Sequence, residues 1–342
     1  MKELLTFDDV LITPKFSFVD SRKYVNPSFV IGSAGLSCPI ISANMDTVTG
    51  VEMAKTMWEE GAIGALHRFS SIEQNVADYK EVASYRQCLV SVGIGSAELE
   101  RAKALYAAGA RMFILDVAHG ASKAAANMYM ILKAELLDII LIVGNFATGE
   151  SCSDFRLAVH PFLVDGFKIG IGSGSICSTR LKTGCGVPQL SAVMDVARTV
   201  SKWPNKPILI SDGGISKPAD MCKALAAGAD LVMMGSAFAG ADESPGDFVW
   251  IEDKIKKKYR GSASKESYQT QGKTSDYITA EGTVTYIDSK GPVKNIINDY
   301  MGGLRSSMSY VGAFDLKEYQ SKAEFAKISP AAYRESLTVG KE

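Results

Sequence analysis

The segment GIGSGSICSTR, residues 170–180, combines residue types that could bind an anion and attack a carbon atom. Its three glycines stand in alternate positions, and Cys177 follows them with Thr179 and Arg180 close behind. Glycines let the backbone approach a ligand closely, and a run of unhindered N–H groups suits a phosphate. A thiolate is a nucleophile that neighbouring Thr and Arg side chains could support. Taken alone, the segment fits a nucleophilic phosphate loop and a tight turn around a structural cysteine equally well.

Polar residues also follow a series of short apolar runs along the chain. The eight runs are near-continuously hydrophobic, as strands buried on both faces should be. They span 39–45, 62–68, 88–95, 112–118, 138–145, 166–172, 207–214 and 230–236. Polar residues near their ends are Asn44, Asp46, His67, Arg68, Asp116, Asn145, Cys177, Asp212 and Ser236. Core packing alone does not produce this pattern, which therefore indicates a shared site.

Stretches with helical spacing separate these runs, for example at 50–60, 97–108 and 217–227. Eight strands that alternate with helices predict an α/β fold, a (β/α)₈ or TIM barrel in one domain. The active site of such a barrel lies at the carboxyl ends of its strands. A doubly wound sheet is the alternative, but it usually carries G-x-G-x-x-G after its first strand. The first strand here ends in NMD, residues 44–46.

The loops after strands seven and eight often bind phosphate in such barrels. Here they contain DGG at 212–214 and GS at 235–236, both suited to backbone N–H donation. An acidic side chain beside such a loop suits ribose hydroxyls. The residues therefore predict a barrel enzyme that acts on a phosphorylated ligand with a cysteine at the reacting carbon. We expect this ligand to be a nucleotide.

Composition excludes several classes of protein. The chain has 342 residues and a formal net charge of −1, so no global basic field indicates nucleic acid or an anionic membrane. The basic run KIKKK, 254–258, is explained more simply as a solvated helix face than as a nucleic-acid site. No apolar stretch reaches the ~20 residues of a membrane helix. The acidic start does not resemble a signal peptide, so we expect a cytoplasmic protein with no membrane partner.

Cysteine and histidine usage indicates neither disulfides nor a zinc site. The six cysteines lie far apart without a C-x-x-C pair, which fits reduced thiols. The three histidines lack the spacing of metal ligands. After the eighth strand, residues 261–290 are polar, and a loop of this length predicts a mobile lid or a disordered insert. Helical spacing resumes at 293–304.

Nine segments together resemble the IMP dehydrogenase / GMP reductase family over nearly the whole chain. They are FDDVLITP (7–14), SANMDTVT (42–49), LDVAHG (115–120), GN-x-AT (144–148), GIGSGSICSTR (170–180), SDGG (211–214), MMGSAFAG-x-x-ESPG (233–246), EG (281–282) and GGLRSSMSYVGA (302–313). The family fold is a (β/α)₈ barrel, in agreement with the strand count. The resemblance implies one barrel domain over 1–342 with short terminal extensions. The CBS pair that many dehydrogenases insert after the second strand is absent, since 71–74 lead almost directly into the third strand.

The lid distinguishes the two branches of the family. Dehydrogenases resemble one another in an Arg-Tyr pair on a flap that activates water, whereas this chain has no arginine between Gly261 and Glu281. Segments 179–193, 49–54, 66–69 and 261–264 are also similar to reductases. The resemblance therefore implies a GMP reductase that converts GMP and NADPH to IMP, ammonia and NADP⁺ through a covalent Cys177–purine intermediate. The alternative is an IMP dehydrogenase without the CBS pair, which oxidises IMP to XMP with NAD⁺.

The resemblance also assigns site residues. The implied catalytic residues are Cys177, Thr179 and Glu281. The implied substrate-binding residues are Ser175, Asp212, Gly213, Gly214, Gly235, Ser236, Ser262, Ala263, Ser264 and Gly282. The implied cofactor-binding residues are Ser21, Arg22, Arg68, Asp116, Val117, Ala118, Asn145, Ser306, Ser307, Met308 and Ser309. Carbonyl groups of Gly172, Gly174 and Cys177 match a loop for a monovalent cation such as potassium, and the family implies a homotetramer.

Two other classes of protein remain open at the level of the sequence. A flavin-dependent barrel oxidoreductase would also bind a phosphate after strands seven and eight, and purified protein without colour would exclude it. A nucleotide-binding regulatory protein without turnover is the other class. The joint presence of Cys177, Thr179 and Glu281 argues against it.

Overall fold

Eight parallel strands form the centre of the molecule in the computed structural model, which describes residues 1–84, 86–266 and 279–337. The described strands are β1 (Val10–Ile12), β2 (Phe29–Ile31), β3 (Ala34–Leu36), β4 (Ile40–Ser42), β5 (Ile63–Leu66), β6 (Cys88–Val92), β7 (Met112–Asp116), β8 (Ile140–Phe146), β9 (Gly166–Ile169), β10 (Ile208–Asp212), β11 (Leu231–Met234), β12 (Phe248–Ile251), β13 (Lys254–Arg260), β14 (Val284–Asp288) and β15 (Phe325–Lys327). Strands β4 to β11 pair in chain order, and β11 closes the barrel on β4 through Val232 and Ile40. The predicted (β/α)₈ barrel is confirmed, and each of the eight apolar runs contains one barrel strand.

Helices connect the barrel strands, as the alternating pattern predicted. The described helices are α1 (Val51–Glu59), α2 (Ile72–Ala83), α3 (Ser96–Ala107), α4 (Lys123–Glu135), α5 (Gly149–Ala158), α6 (Thr179–Thr183), α7 (Gln189–Val200), α8 (Pro218–Ala226), α9 (Val293–Val311), α10 (Leu316–Lys322) and α11 (Pro330–Glu335). Helix α8 shows the local rules: Pro218 stands in its first turn, and Gly228 just beyond its end has a φ of 110°. Proline fits the start of a helix because its missing N–H has no intrahelical partner there, and glycine adopts positive φ without strain.

The core lies between the barrel and its helices. Strands β6, β9 and β11 are buried along their whole length, which explains why their sequences lack the alternation of half-exposed strands. Phe146, Phe155 and Phe167 pack edge to face with ring centroids 4.9–6.1 Å apart. This contact joins β8 and β9 to helix α5. It supports the strands whose carboxyl ends carry Asn145 and the glycine-rich loop.

The segment after the barrel differs from the sequence prediction. Strands β12, β13 and β14 form an antiparallel sheet, so the basic run 254–258 is a strand, and its interpretation as a helix face was wrong. Burial along β13 follows a period of two near the barrel, because Lys257 and Tyr259 are 2% and 3% exposed and face inward. Strand β14 also occupies part of the segment predicted as a lid. Residues 267–278, the middle of that predicted lid, lie outside the described residues.

The two ends of the described chain meet, since β1 pairs antiparallel with β15. Helix α9 is longer than the predicted 293–304 and contains the GGLRSSM segment. Between β5 and β6 the chain contains helix α2 and short connections, with no inserted domain. No helix among residues 1–84, 86–266 and 279–337 is long and apolar enough to cross a bilayer.

Candidate active site

A cavity of about 1010 Å³ opens at the carboxyl ends of the barrel strands. The loops after β4 to β10 contribute to its wall, and residues 261–263 and 281–282 cover one side. Predicted site residues that line it are Arg68, Asp116, Val117, Ala118, Asn145, Gly172, Gly174, Cys177, Thr179, Asp212, Gly213, Ser262, Ala263, Glu281 and Gly282. The cavity therefore brings the predicted nucleophile together with residues predicted for both ligands.

Cys177 begins a chain of polar contacts that crosses the cavity wall. Its Sγ lies 3.1 Å from Oγ1 of Thr179, which donates to Oε2 of Glu281 at 2.7 Å. The backbone fixes this arrangement, because the N–H of Ser178 donates to the carbonyl of Glu281 at 2.7 Å and that of Thr283 to Ile176 at 3.0 Å. A thiol, a hydroxyl and a carboxyl thus form a continuous series of contacts along which protons can move.

The glycine-rich loop packs directly against the loop after β10. Ser173 Oγ donates to the carbonyl of Asp212 at 3.0 Å. A Cβ at Gly170, where φ is 152°, would lie 2.0 Å from that same carbonyl oxygen, so no larger residue fits there. Gly213 likewise has a φ of 90°. The two loops that the sequence predicted for a nucleotide therefore form one continuous surface.

Tyr259 was missed by the sequence analysis. It lies on β13, lines the cavity, and is 3% exposed. Burial raises the pKa of its hydroxyl to about 12, although an interaction with Ser175 lowers it. A Cβ at Gly235 would lie 3.0 Å from the same hydroxyl. Two predicted phosphate-binding residues, Ser175 and Gly235, thus flank the tyrosine. Its inward position on a strand was the missing signal, since the preceding run 254–258 had been interpreted as a helix face.

Lys168 was also missed, although it is a charged residue within a buried strand. It is 2% exposed, and its Nζ lies 2.5 Å from Oδ2 of Asp212, 2.5 Å from Oδ1 of Asn145 and 3.0 Å from Oδ1 of Asp116. Asn145 Nδ2 donates to the same Asp212 oxygen at 3.0 Å. Burial lowers the pKa of Lys168, but the two carboxylates outweigh it, and the net shift is upward. Lys168 is therefore charged.

Asp116 has the opposite shift. Burial raises the pKa of its carboxyl, but Lys168 and Arg68 outweigh burial and hold it below its usual value. Arg68 extends the cavity away from Cys177, with its Nη1 4.0 Å from Oε2 of Glu98. His67 does not line the cavity: its Nδ1 accepts a hydrogen bond from Phe69 N at 3.1 Å, and burial lowers its pKa. His67 is thus a neutral, packed histidine.

Several predicted residues lie outside the cavity wall. Ser175, Gly214, Gly235, Ser236 and Ser264 belong to the same loops as lining residues or to neighbouring ones but do not line the cavity themselves. Ser21 caps the short 3₁₀ turn Arg22–Tyr24, and Arg22 lies against Tyr310 of helix α9. The predicted cofactor residues 306–309 are part of the same helix, where Ser307 meets Tyr319 and Met308 is buried. These residues do not line the cavity, and their role in cofactor binding stays a prediction.

No cluster of His, Cys, Asp and Glu side chains suited to a metal ion occurs in 1–84, 86–266 or 279–337. The predicted cation site uses carbonyl oxygens instead. Among them, the carbonyl of Gly174 accepts a hydrogen bond from Cys177 N at 3.0 Å. The site therefore combines a half-buried thiol in contact with a hydroxyl and a carboxyl, a buried charge network and backbone carbonyl groups.

Comparison with known proteins agrees with this geometry. The model of the IMP dehydrogenase / GMP reductase domain matches residues 4–338. A GMP reductase of Vibrio campbellii is 34% identical and covers 99% of this chain and 98% of its own length. An inosine-5′-monophosphate dehydrogenase of Cryptosporidium parvum is 33% identical over 97% of this chain and 94% of its own. The crystal structure of a GMP reductase from Trypanosoma brucei in complex with guanosine 5′-monophosphate superposes with a TM-score of 0.93, at 28% identity and with 100% and 99% of the two chains covered.

Proposed function

The chain belongs to the IMP dehydrogenase / GMP reductase family, and we propose that within it the protein is a GMP reductase that uses NADPH. The observation that carries this proposal is the line of Cys177, Thr179 and Glu281, with contacts of 3.1 and 2.7 Å. It unites a nucleophile with a proton path to a leaving amine. A cytoplasmic location, expected from the acidic start of the chain, and a tetrameric assembly, implied by the family resemblance, are also part of the proposal.

Cys177 attacks C2 of the purine as a thiolate, and a C2–S bond forms. The exocyclic amine at C2 leaves as ammonia once it is protonated, and Thr179 passes that proton from Glu281. When bound, NADPH would supply the hydride that takes the place of the amine at C2, and Arg68, Asp116 and Asn145 would hold it. The C2–S bond then breaks, and the thiolate of Cys177 is restored. The net reaction converts GMP, NADPH and a proton to IMP, ammonia and NADP⁺.

Asp212 is suited to the ribose of GMP because a carboxylate accepts two hydroxyl hydrogen bonds. The loop residues Ser175, Gly213, Gly214, Gly235 and Ser236 are proposed to bind the phosphate. The base would contact the lid residues Ser262, Ala263, Ser264 and Gly282. This division follows the family resemblance, and the packing of the glycine-rich loop on Asp212 supports it by placing the two loops side by side.

The dinucleotide is proposed to occupy the remaining part of the cavity. Arg68, Asp116, Val117, Ala118 and Asn145 line that part and fit a ligand with anionic and amide groups. Ser21, Arg22 and residues 306–309 are proposed for its distal half. The carbonyls of Gly172, Gly174 and Cys177 are proposed to bind potassium, because neutral oxygen donors suit a hard cation of low charge.

The absence of an arginine between Gly261 and Glu281 favours the reductase over the dehydrogenase. A dehydrogenase must activate water, whereas the arginine nearest to the predicted lid, Arg260, forms ion pairs with Asp46 and Glu266. Burial lowers the pKa of Arg260, but the hydrogen bond to Asp46 and the nearby carboxylates outweigh burial and raise it. A firmly protonated guanidinium cannot accept a proton. Arg260 is therefore not a base for hydrolysis.

One pair of assays tests the proposal. GMP with NADPH should give sustained loss of absorbance at the nicotinamide band together with release of ammonia. IMP with NAD⁺ should give at most a slow or single turnover of NADH, since water would not clear the intermediate from Cys177. Sustained conversion of IMP to XMP at a higher rate would overturn the proposal. It would favour the dehydrogenase function, which the similarity to the Cryptosporidium parvum protein supports.

A further inference from the structure

Lys168 is enclosed by groups from three other positions of the barrel. Its strand β9 lies between β8 and β10, and the lysine itself is 2% exposed. An ammonium group has three N–H donors, and three oxygens surround this one: those of Asp116, Asn145 and Asp212. A buried charge costs several kcal/mol unless it is paired and hydrogen-bonded in this way. All three N–H donors of the lysine are therefore used by these three side chains.

The lysine stem is held as tightly as its charged end. A Cβ at Gly144 would lie 2.6 Å from Cβ of Lys168, so the stem passes directly over a glycine of β8. The pairing of β8 with β9 shifts register between Gly144 and Phe146, which leaves Asn145 as the extra residue. Its amide donates both to Asp212 and to the carbonyl of Gly170, at 3.0 and 2.6 Å. Movement of one group of the network thus displaces the others.

The network joins the two halves of the cavity. Asp212 belongs to the part proposed for the ribose of GMP, and its Oδ1 accepts no hydrogen bond from the described residues. Asp116 and Asn145 belong to the part proposed for the dinucleotide. A ligand that moves one carboxylate also moves the ammonium group that the other one shares, so that binding of the first ligand changes the position of the carboxylate that the second ligand meets.

We propose that Lys168 is a positioning residue that couples the binding of the purine nucleotide to the binding of the dinucleotide. This inference rests on the proposed function, because it takes Asp212 and Asp116 to face the two different ligands. Coupling between two sites is reciprocal, so GMP must tighten dinucleotide binding by the same factor by which the dinucleotide tightens GMP binding. Factors of about 5–150 are typical of such coupling.

Calorimetric titration with GMP and NADP⁺, an unreactive pair of ligands, tests the coupling in the Cys177→Ala protein, where no covalent step occurs. GMP should tighten NADP⁺ binding at least about fivefold. Adding Lys168→Met should bring this factor close to one, and Lys168→Arg should retain most of it, because a guanidinium can still bridge the carboxylates. Lys133→Met is the matched control. Lys133 pairs with Asp165 at 2.8 Å, and neither residue lines the cavity, so its loss should leave the factor unchanged.

The pH dependence of binding separates positioning from general loosening of the fold. Without Lys168, burial still raises the pKa of Asp116 while the main opposing charge is gone. The acid limb of NADP⁺ binding should therefore move to higher pH by at least about one unit, since a nearby opposite charge shifts a carboxyl by 1–3 units. A loosened fold would weaken binding equally at every pH.

The charge-balanced variant Lys168→Met with Asp116→Asn removes one charge of each sign and keeps the test valid if Lys168→Met does not fold. It should also lose the coupling. If GMP and NADP⁺ bind but the factor is the same with and without Lys168, the inference is wrong and the proposed function stands. If the Cys177→Ala protein binds neither ligand, the proposed function is wrong and the inference falls with it.

Discussion

At the scale of the residue, burial separates Cys177 from four other cysteines, Cys38, Cys88, Cys152 and Cys222, whereas Cys185 is exposed and does not line the cavity. Burial raises the pKa of the Cys88 and Cys222 thiols to about 12, so both stay protonated and inert. Burial also raises the pKa of the Cys152 thiol. Cys177 is half-buried, lines the cavity and contacts the hydroxyl of Thr179. Reactivity therefore follows from position in the barrel.

Replacing Cys177 with alanine should abolish turnover while GMP still binds. The covalent step is lost, but the contacts of Asp212 and the phosphate loops remain. Steady-state rates with GMP and NADPH should fall at least about 10³-fold, as expected for removal of a nucleophile. Calorimetry should still detect GMP binding. Turnover within about tenfold of the parent protein would contradict the role of Cys177.

Replacing Glu281 with glutamine should slow the release of ammonia. The amide keeps the shape of the side chain and its contact with Thr179, but it cannot supply a proton to the leaving amine. General acid catalysis contributes about 10²–10⁴-fold, so kcat should fall by that factor with little change in GMP affinity. Glu266→Gln is the control, since Glu266 forms ion pairs with Lys258 and Arg260 near the start of the predicted lid. Equal losses in both variants would count against the proton path.

At the scale of the element, strand β13 connects the outer sheet to the cavity. Its buried residues alternate with half-buried ones, so that Tyr259 reaches the cavity and Lys257 anchors the sheet. The ammonium group of Lys257 donates to the carbonyls of Ser244 and Asp242 at 2.6 and 3.0 Å and lies over the ring of Phe248. The strand is thus fixed to the chain segment that follows the barrel.

Replacing Lys257 with methionine should destabilise the protein. Two carbonyl groups would lose a charged donor, which costs about 2 kcal/mol in free energy of unfolding. Urea unfolding measures this change. Lys254→Ala on the same strand is the matched control, because Lys254 is exposed, and its loss should change stability by less than about 0.5 kcal/mol. Equal stability of the two variants would show that Lys257 does not anchor the sheet.

At the scale of the whole molecule, the closed barrel places opposite charges together in its interior. Asp116 comes from β7, Lys168 from β9 and Asp212 from β10, and all three point toward the same end of the barrel. The paired charges stabilise the fold only while the carboxylates are ionised. The stability of the barrel should therefore depend on pH in a direction that the pKa of Asp116 decides.

The free energy of unfolding should decrease as the solution is acidified. Lys168 and Arg68 outweigh burial and hold the folded-state pKa of Asp116 below its usual value of 3.8. A carboxyl with a lowered pKa stabilises the fold above its unfolded value, and this contribution is lost as pH falls through the folded value. The urea concentration at the midpoint of unfolding should thus be constant near neutral pH and decrease below about pH 5. Asp116→Asn should flatten the decline, and an unaltered slope in that variant would refute the assignment.

The sequence by itself determined the barrel and the position of the glycine-rich loop that carries Cys177. Strands buried on both faces must be apolar throughout, so eight such runs were visible without any knowledge of their pairing. The loop 170–180 is also a local feature, because the glycines and Cys177 are neighbours in the chain. The presence of a cysteine nucleophile and a nucleotide-binding surface could therefore be predicted from residue types and spacing.

Only the tertiary structure decided which distant residues meet. Thr179 and Glu281 are 102 positions apart, and their contact depends on how the end of the predicted lid returns to the glycine-rich loop. The Lys168 network joins three strands, and a lone lysine in an apolar run does not reveal its partners. Strand β13 was misread because a run of lysines carries no hydrophobic period. Such contacts are set by packing across the barrel, and sequence spacing carries no information about distances between segments that only the closed sheet brings together.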